Sequence, residues 1–333
     1  MRATFFEATE SERATLASIL PGIELAFYSE KLTPETAALA KSSEVVSVFL
    51  GSQITKDLLD LLPNLKLLQT RSTGYDHIDL ASAKAKGIAV SNVPGYGAHT
   101  VAEFAFALIL SLARKIFTAR HQLMESDSFD ISALQGFELR GKTIGVVGTG
   151  RIGKSVVKIA NGLEMKIVAY DVFPDEKFAA EQKFEYVDLP ALLAQSDIVT
   201  LHAPYNEKSH HLINKSNIGM MKKTALFINT ARGELVETDA LVRALESGTI
   251  AGAGLDVLEG ERQLKDEAVL LRGDAEMADY KVLFEDHVLM DMPNVVLTPH
   301  IAFDTVEGVR EILEVTAKSI AAFAAGKPEN LLS

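Results

Sequence analysis

The sequence lacks several features that would indicate particular classes of protein. It contains no cysteine, which excludes disulfide bonds, thiolate metal sites and cysteine nucleophiles. It has no apolar run long enough to cross a bilayer, and its first residues lack the apolar core of a signal peptide. No His-x-His, His-Glu-x-x-His or paired-carboxylate spacing indicates a metal site. We therefore expect a cytoplasmic protein with no membrane span and no metal.

Basic residues are also too few to indicate a nucleic-acid partner. Lys and Arg number 33 against 45 Asp and Glu, which gives a net charge of −12. A surface of this charge disfavours nucleic acid and anionic membranes, and no Lys/Arg-rich block offsets it. With 333 residues, of which 47% are hydrophobic, the chain is long enough for two soluble domains with separate cores.

The run Gly148-Thr149-Gly150-Arg151-Ile152-Gly153 has the pattern of a phosphate-binding turn. It follows a β-branched run at 143–147, which predicts a buried strand, and it precedes apolar residues at helical spacing. Glycines here allow a tight turn and a close backbone approach, so that a pyrophosphate can bind the N–H groups at the helix start. Asp171 ends the next predicted strand, where a carboxylate binds a ribose diol and repels a 2′-phosphate. An ordinary turn would not need the strand, the glycines, the helix and the terminal Asp together, so the combination predicts a dinucleotide site. The carboxylate predicts NAD rather than NADP.

Strand-like and helical segments alternate on both sides of this turn. The predicted strands are residues 3–6, 24–28, 45–50, 65–70 and 88–90 before it and 167–170, 198–202, 225–229, 250–257 and 295–298 after it. Helices are expected between them, for example at 34–41 and 54–61. The pattern favours an α/β fold with two Rossmann-like or flavodoxin-like domains, parallel sheets and an active site in the cleft between them.

Two long helices indicate where the domains divide. Thr100 and Glu103 form a capping-box pattern before an apolar helix of about 101–117, and a last helix spans about 305–324. We predict a substrate-binding domain of residues 1–99, completed by 301–333, and an NAD-binding domain of residues 100–300. The charged, weakly periodic segment 262–292 is typical of a solvated excursion with one or two helices.

Three side chains after strand-like segments are candidates for chemistry. Arg232 follows the strand at 225–229, and its planar guanidinium matches a carboxylate or 2-oxo acid. Glu261 and His300 could form a carboxylate–imidazole pair, which is the usual way to hold a proton near neutral pH. A lone Arg is often a surface ion pair and a lone Glu is often solvated, so each has a purely structural alternative. His202 ends a strand and could line a pocket, whereas the other histidines fit surface or packing positions.

These residues lie in motifs that occur in a known order: RSTGYDHID at 71–79, NVPGY at 92–96, TVAE at 100–103, the glycine turn, LHAP at 201–204, NTARG at 229–233, GLDV at 254–257 and TPH at 298–300. From end to end the chain resembles the D-isomer-specific 2-hydroxyacid dehydrogenases, and among them most of all the D-lactate dehydrogenases. The resemblance implies that Arg232 binds the substrate carboxylate and polarises the 2-oxo group. It also implies that His300, paired with Glu261, exchanges the proton.

The resemblance further implies the contacts of substrate and cofactor. Backbone N–H groups of Ser72, Thr73 and Gly74 would hold the substrate carboxylate, and Tyr96 and Phe303 would line a small pocket. Asp256 would meet the nicotinamide carboxamide. The full set of implied cofactor contacts is Thr100, Gly148, Gly150, Arg151, Ile152, Gly153, Asp171, His202, Ala203, Pro204, Thr230, Ala231 and Asp256.

Arg262 stands directly after Glu261, where many family members have Pro, and the spacing from Glu261 to His300 is longer than in most. Both features resemble D-lactate dehydrogenases, and they leave open whether Glu259 or Glu261 faces the histidine. We expect an NAD-dependent enzyme that reduces a short 2-oxo acid. The reaction that we expect is the reduction of pyruvate to D-lactate. A glyoxylate or hydroxypyruvate reductase and a non-catalytic NAD-sensing corepressor are the alternatives. By resemblance, the protein is a homodimer formed through the helix after Thr100.

Overall fold

The computed structural model of the chain describes residues 1–261 and 277–332. The chain divides into two compact units, one of Met1–Gly97 with Asp304–Ser333 and the other of Ala98–Phe303. These divisions fall close to the predicted ones at 99/100 and 300/301. No helix within the described residues is both long and apolar enough to cross a membrane.

The elements are numbered here in chain order. The strands are β1 (Arg2–Phe5), β2 (Glu24–Phe27), β3 (Val45–Val48), β4 (Leu67–Thr70), β5 (Ala89–Ser91), β6 (Thr143–Val147), β7 (Lys166–Tyr170), β8 (Glu185–Tyr186), β9 (Ile198–Leu201), β10 (Leu226–Asn229), β11 (Gly252–Leu255) and β12 (Val295–Leu297). The helices are α1 (Glu10–Ile19), α2 (Lys56–Asp60), α3 (Leu80–Ala85), α4 (Ala98–Ala113), α5 (Ile116–Ser126), α6 (Arg151–Gly162), α7 (Glu176–Gln182), α8 (Leu189–Gln195), α9 (Thr238–Glu246), α10 (Met277–Asp291) and α11 (Val306–Ala324).

The first unit contains a parallel sheet of order β2-β1-β3-β4-β5, which is the flavodoxin-like order. Because side chains alternate across a strand, Val45 and Val46 of β3 enter cores on opposite faces. One core includes residues of α1 and α11, and the other includes residues of α2 and α3. The chain therefore returns to this unit after completing the second.

The second unit contains a parallel sheet of order β12-β11-β10-β9-β6-β7-β8. The chain runs outward from β6 to β8 and then returns to the other side of β6 at β9. In an open parallel sheet, ligands bind at the carboxyl ends of the strands where the order reverses. This topology places the β6–α6 turn, the end of β7 and the end of β9 around one such point. The predicted α/β class with parallel sheets is confirmed.

Three local predictions are wrong. The helix predicted at 101–117 starts at Ala98, so Thr100 lies inside α4 rather than capping it. Lys115 adopts a left-handed backbone conformation with φ of 56°, which separates α4 from α5. The helix predicted at 34–41 is only a 3-10 turn at Ala37–Ala40. Local patterns do not determine these boundaries, because the packing around each segment decides where its last turn ends.

The charged segment predicted as a solvated excursion lies partly outside the described residues, at 262–276. Its described part contains α10, which packs on α9 and β12. Asp286 and Leu289 of this helix are buried. This part of the segment is therefore joined to the core of the second unit, contrary to the expectation.

Candidate active site

The glycine turn between β6 and α6 has three glycines with three different surroundings. Gly148 has φ of +91°, and a Cβ there would lie 2.7 Å from the backbone N of Ala203. A Cβ at Gly153 would overlap the carbonyl oxygen of Gly148. A Cβ at Gly150 would meet no atom within 4 Å, so the chain leaves open space beside the N-terminus of α6. The residues present fit a bound pyrophosphate, because packing requires the first and third glycines and the second borders the open space.

Asp171 follows β7 and is bonded to this turn. Its Oδ2 accepts hydrogen bonds from the Thr149 N–H at 2.6 Å and the Thr149 hydroxyl at 2.9 Å, and its Oδ1 accepts the Phe173 N–H at 2.9 Å. Tyr186 lies 2.8 Å from the Thr149 hydroxyl. Since a carboxylate has about four acceptor positions, Asp171 retains room for a ribose hydroxyl. The support from Thr149 and Tyr186 is not visible in the sequence.

His202 stands at the end of β9 and is almost fully buried. Its Nε2 lies 2.8 Å from the Thr200 hydroxyl, and burial lowers the pKa of His202 to about 3. The imidazole is therefore neutral near pH 7, and it is unsuited to carrying a proton there. The backbone of His202 lies against Gly148, so this residue shapes the glycine turn.

Asp256 follows β11 and holds the loop that bears His300. Its Oδ1 accepts the Thr298 hydroxyl at 2.6 Å and the Ile301 N–H at 3.0 Å, while its Oδ2 accepts the Ala302 N–H at 2.8 Å. Burial raises the pKa of Asp256, and these hydrogen bonds oppose that effect. Its expected contact with a nicotinamide carboxamide stays a prediction.

His300 and Glu261 form a direct pair in the structure. The imidazole Nδ1 lies 2.8 Å from Oε1 and 3.0 Å from Oε2 of Glu261. Both side chains are largely buried, with 16% and 24% exposed. Because Nδ1 faces the carboxylate, Nε2 is the nitrogen that can face a substrate. The ring of Phe303 lies 6.3 Å from the imidazole in an edge-on arrangement.

Glu259, the other candidate partner of His300, is bonded elsewhere. Its Oε1 lies 2.7 Å from Nε2 of His211, and its Oε2 accepts the Thr238 hydroxyl at 2.7 Å. The question that the sequence left open is thus decided geometrically in favour of Glu261.

His210, His211 and Glu259 also offer ligand atoms within 4.8 Å of one another. No spacing in the sequence indicates this grouping, which the fold creates.

Arg232 lies in a tight turn after β10. Asn229 closes the turn, since its side-chain amide donates to the Arg232 carbonyl at 2.8 Å and its Oδ1 accepts the Ala231 N–H at 3.0 Å. A guanidinium N–H of Arg232 donates to the Ala231 carbonyl at 2.8 Å. The next residue, Gly233, touches the backbone of Leu258 so closely that a Cβ would overlap it. The Arg232 turn and the segment leading to Glu261 are therefore in direct contact.

In the first unit, the loop after β4 contains Ser72, Thr73 and Gly74. The Ser72 hydroxyl donates to the Gly74 carbonyl at 2.6 Å, and the Thr73 hydroxyl donates to the Val93 carbonyl at 2.8 Å. Across the described residues, the N–H groups of Ser72, Thr73 and Gly74 have no acceptor. This arrangement suits the expected binding of an anion by the loop backbone. Tyr96 also belongs to this unit and is half-buried.

The buried Arg71 anchors the same loop, a role that sequence reasoning did not identify. Its guanidinium donates to the carbonyls of Phe6 at 2.9 Å and Glu7 at 2.8 Å. Glu12 supplies a carboxylate 3.7 Å away, and burial lowers the pKa of Arg71. These hydrogen bonds join the end of β4 to the end of β1. Arg71 is the residue immediately before Ser72, so they also fix the start of the loop.

Asp286 in α10 is a fully buried carboxyl group, and neither oxygen has a hydrogen-bond partner of normal geometry among the described residues. Burial, and then the nearby charge of Glu259, raise the pKa of Asp286 from 3.8 to about 7. Between these two pH values, a carboxyl group whose pKa is higher in the folded state than in the unfolded state binds more protons in the folded state. Its contribution to stability therefore falls as the pH rises from 3.8 to about 7 and is constant above that.

We expect Asp286→Asn to be more stable than the parent at pH 8, because the amide needs no proton. The gain in Tm should be a few degrees, since about 1 kcal/mol shifts Tm by ~2–4 °C in a domain of this size. It should shrink as the pH is lowered toward 4. Thermal unfolding of both proteins across this range measures the difference. Asp291→Asn, at the exposed end of α10, should show no such trend, and a gain independent of pH would contradict the explanation.

Comparison with known proteins gives a family match and relatives that align over nearly the whole chain. The model of the D-isomer specific 2-hydroxyacid dehydrogenase NAD-binding domain matches residues 106–302. The 2-hydroxyacid dehydrogenase A of Aspergillus oryzae is 40% identical over 97% of this chain and 92% of its own. A glyoxylate reductase of Korarchaeum cryptofilum is 33% identical over 100% of this chain and 96% of its own.

A solved structure is also similar to this chain over nearly its whole length. The D-lactate dehydrogenase of Aquifex aeolicus, complexed with NAD and lactic acid, superposes with a TM-score of 0.90 at 36% identity, covering 99% of this chain and 98% of that one. The family model spans more than half of the chain, and the relatives align over nearly all of it. The chain therefore belongs to the D-isomer specific 2-hydroxyacid dehydrogenases, a family of NAD-binding oxidoreductases.

Proposed function

We propose that this protein reduces a short 2-oxo acid to the D-2-hydroxy acid with NADH, and that pyruvate is its best substrate. The observation that supports this proposal most is the pairing of His300 with Glu261, which prepares one imidazole for proton transfer. The contact of the Arg232 turn with the segment leading to Glu261 brings an anion-binding side chain to the same region. Together these groups supply the carboxylate recognition and the proton that such a reduction requires.

When bound, NADH would supply the hydride that the 2-oxo carbon accepts in the proposed reaction. Arg232 holds the substrate carboxylate and polarises the oxo group, and Nε2 of His300 donates a proton to the oxygen as charge develops on it. Glu261 stabilises the imidazolium before transfer and orients the ring. In the reverse direction the same imidazole accepts the proton. The backbone N–H groups of Ser72, Thr73 and Gly74 are proposed to bind the carboxylate as well.

Phe303 supports a small substrate, because its ring lies beside the imidazole that would meet the reacting oxygen. With Tyr96 it is proposed to leave room for a methyl group and to exclude a branched side chain. The oxidation of NADH, followed by its absorbance, tests the proposal on glyoxylate, pyruvate, hydroxypyruvate and branched 2-oxo acids. Pyruvate should give the highest kcat/KM. A preference for glyoxylate or hydroxypyruvate would indicate the reductase alternative, and no turnover on any of them would favour the non-catalytic corepressor.

We expect Glu261→Gln to move the basic limb of the pH profile for reduction to lower pH. The amide keeps the shape of the side chain but removes the negative charge that lies 2.8 Å from Nδ1 of His300. Initial rates from pH 5 to 10 at saturating NADH measure the limb. Glu259→Gln is the matched control and should leave the limb in place. If Glu259→Gln shifts the limb and Glu261→Gln does not, the partner is misassigned.

We expect Asp171→Ala to weaken NADH binding and to improve the use of NADPH relative to NADH. The parent carboxylate, which accepts the Thr149 N–H, is proposed to accept from a ribose hydroxyl as well and to repel a 2′-phosphate. The ratio of kcat/KM for the two cofactors measures the change, which should be on the order of tenfold, about 1.4 kcal/mol. Glu185→Ala, an exposed carboxylate on the neighbouring strand β8, should not alter the ratio. An unchanged ratio in Asp171→Ala would contradict the ribose contact.

We also propose a homodimer that forms through the helices after Gly97. No residue of α5 is buried, although Ile116 and Phe117 are each 52% exposed and Met124 is 65% exposed. Phe129 and Ile131 follow at 88% and 78% exposed. Exposed apolar side chains close together in the chain are typical of an interface between copies. Sedimentation velocity should give twice 36.1 kDa, and a single species of 36.1 kDa would contradict the dimer. We expect this dimer in the cytoplasm.

A further inference from the structure

Glu259 has both carboxylate oxygens engaged by side chains from other segments. His211 meets Oε1 at 2.7 Å, and Thr238 donates its hydroxyl to Oε2 at 2.7 Å. Only 17% of the Glu259 side chain is exposed, so these hydrogen bonds are partly shielded from water. Glu259 is therefore held in place by side chains of two other segments.

The two partners of Glu259 belong to segments joined to the residues that follow Arg232. The His211 N–H donates to the Glu234 carbonyl at 2.9 Å, and the Ile213 N–H donates to the Leu235 carbonyl at 3.0 Å. Thr238 is the first residue of α9, three residues beyond Leu235. The Glu259 carboxylate thus binds the segment after Arg232 directly at Thr238 and, through His211, indirectly at Glu234.

On its other side, Glu259 is two residues from Glu261. The Glu261 N–H donates to the Leu258 carbonyl at 3.3 Å, which makes residues 258–261 a compact turn. Gly260 in this turn lies against Asp286 and Val282 of α10, with no room for a Cβ. Glu259 and Glu261 therefore share one closely packed turn.

We propose that the His211–Glu259–Thr238 cluster is a positioning device that fixes the Arg232 segment relative to the Glu261–His300 pair. These residues do not touch the substrate. They determine whether the carboxylate-binding group and the proton donor are held in the relative arrangement that the reaction needs. A misplacement of about 1 Å can reduce a rate by about 100-fold, so a modest loosening has a measurable effect. The kinetic part of this proposal rests on the proposed function, whereas the structural part does not.

The structural part is tested by hydrogen exchange, followed by mass spectrometry, in buffer containing EDTA. In Glu259→Gln and in His211→Ala, amides of both 211–213 and 258–261 should exchange at least about threefold faster than in the parent, since local opening becomes easier. His211→Gln, which keeps a side-chain N–H donor, should restore most of the protection. Glu237→Gln is the matched control, because its carboxylate accepts only the nearby Lys215 N–H among the described residues. It should leave segment 258–261 unchanged.

The kinetic part uses the 2-oxo acid that the parent reduces fastest. Glu259→Gln should lower kcat/KM by about tenfold while the Kd for NADH and the pH of the basic limb stay at the parent values.

Faster exchange in only one segment would overturn the positioning role, as would parent-like exchange in both. The parent is also measured in buffer without EDTA. If the parent is protected there but loses protection in the EDTA buffer, a cation joins the segments rather than the direct hydrogen bond. Parent-like kcat/KM with faster exchange would show a merely structural role. If the parent reduces no 2-oxo acid, the proposed function fails, while the exchange result still decides the positioning.

Discussion

His300→Ala should lower kcat for reduction by on the order of 100-fold or more, the usual scale for a lost general acid. The imidazole of His300 is held through Nδ1 by Glu261 at 2.8 Å, so its other nitrogen is available to the reacting oxygen. His202, at the end of β9, cannot replace it, because burial lowers the pKa of His202 to about 3 and keeps that ring neutral. No second imidazole in the part of the chain that the structure describes shares this pairing with Glu261.

The binding of NADH separates this chemical effect from a folding defect. Fluorescence titration of His300→Ala with NADH should give a Kd near that of the parent, since the glycine turn is formed by other residues. His287→Ala is the matched control, because His287 is exposed on α10 and its Nδ1 lies 2.9 Å from the Leu283 carbonyl of the same helix. It should retain parent kcat. If His300→Ala also retains most of its kcat, the proposed proton donor is wrong.

Arg232→Lys should lower kcat/KM for the 2-oxo acid by about 100-fold, even though the charge is kept. A guanidinium binds a carboxylate through two parallel hydrogen bonds and can also polarise the neighbouring oxo group, whereas an ammonium is a point charge on a flexible chain. The turn around Arg232 is closed by Asn229 and abuts Leu258, so a lysine there begins from the same backbone position. We therefore expect the loss to come from recognition geometry.

The same substitution at a surface site provides the control. Arg243 is 75% exposed and pairs with Asp239 in α9, so Arg243→Lys should leave kcat/KM near the parent value. The KM for the 2-oxo acid should rise in Arg232→Lys, while NADH binds as before. A change of less than about threefold in kcat/KM, or an equal loss of NADH affinity, would contradict a substrate-binding role for Arg232.

The positions of single elements could be predicted because they depend on local sequence. The β-branched run at 143–147, the three glycines and the helical spacing after them specify a strand, a turn and a helix through near neighbours alone. The structure has β6, α6 and β7 there, with Asp171 immediately after β7. The alternation of such units also predicts parallel sheets, since a strand–helix–strand crossover brings successive strands into the same direction.

The partners of the polar side chains could not be predicted in the same way. Glu259 and Glu261 are two residues apart in similar local surroundings, yet one bonds His211 and the other bonds His300. Asp256 also holds the loop of residues 298–302, a role for which the sequence carries no signal. Thr149 and Tyr186, which support Asp171, carry no sequence signal for that role.

Local sequence was thus enough to predict the α/β class, the glycine turn between β6 and α6 and the residue types available for chemistry. The tertiary structure alone decided which carboxylate meets which histidine, where α4 ends and that Asp286 is buried. The physical reason is the range of the interactions. Backbone hydrogen bonds and apolar periodicity act over a few residues, whereas the His300–Glu261 bond joins positions 39 residues apart. Such a bond depends on how strands and helices pack, which no local pattern encodes.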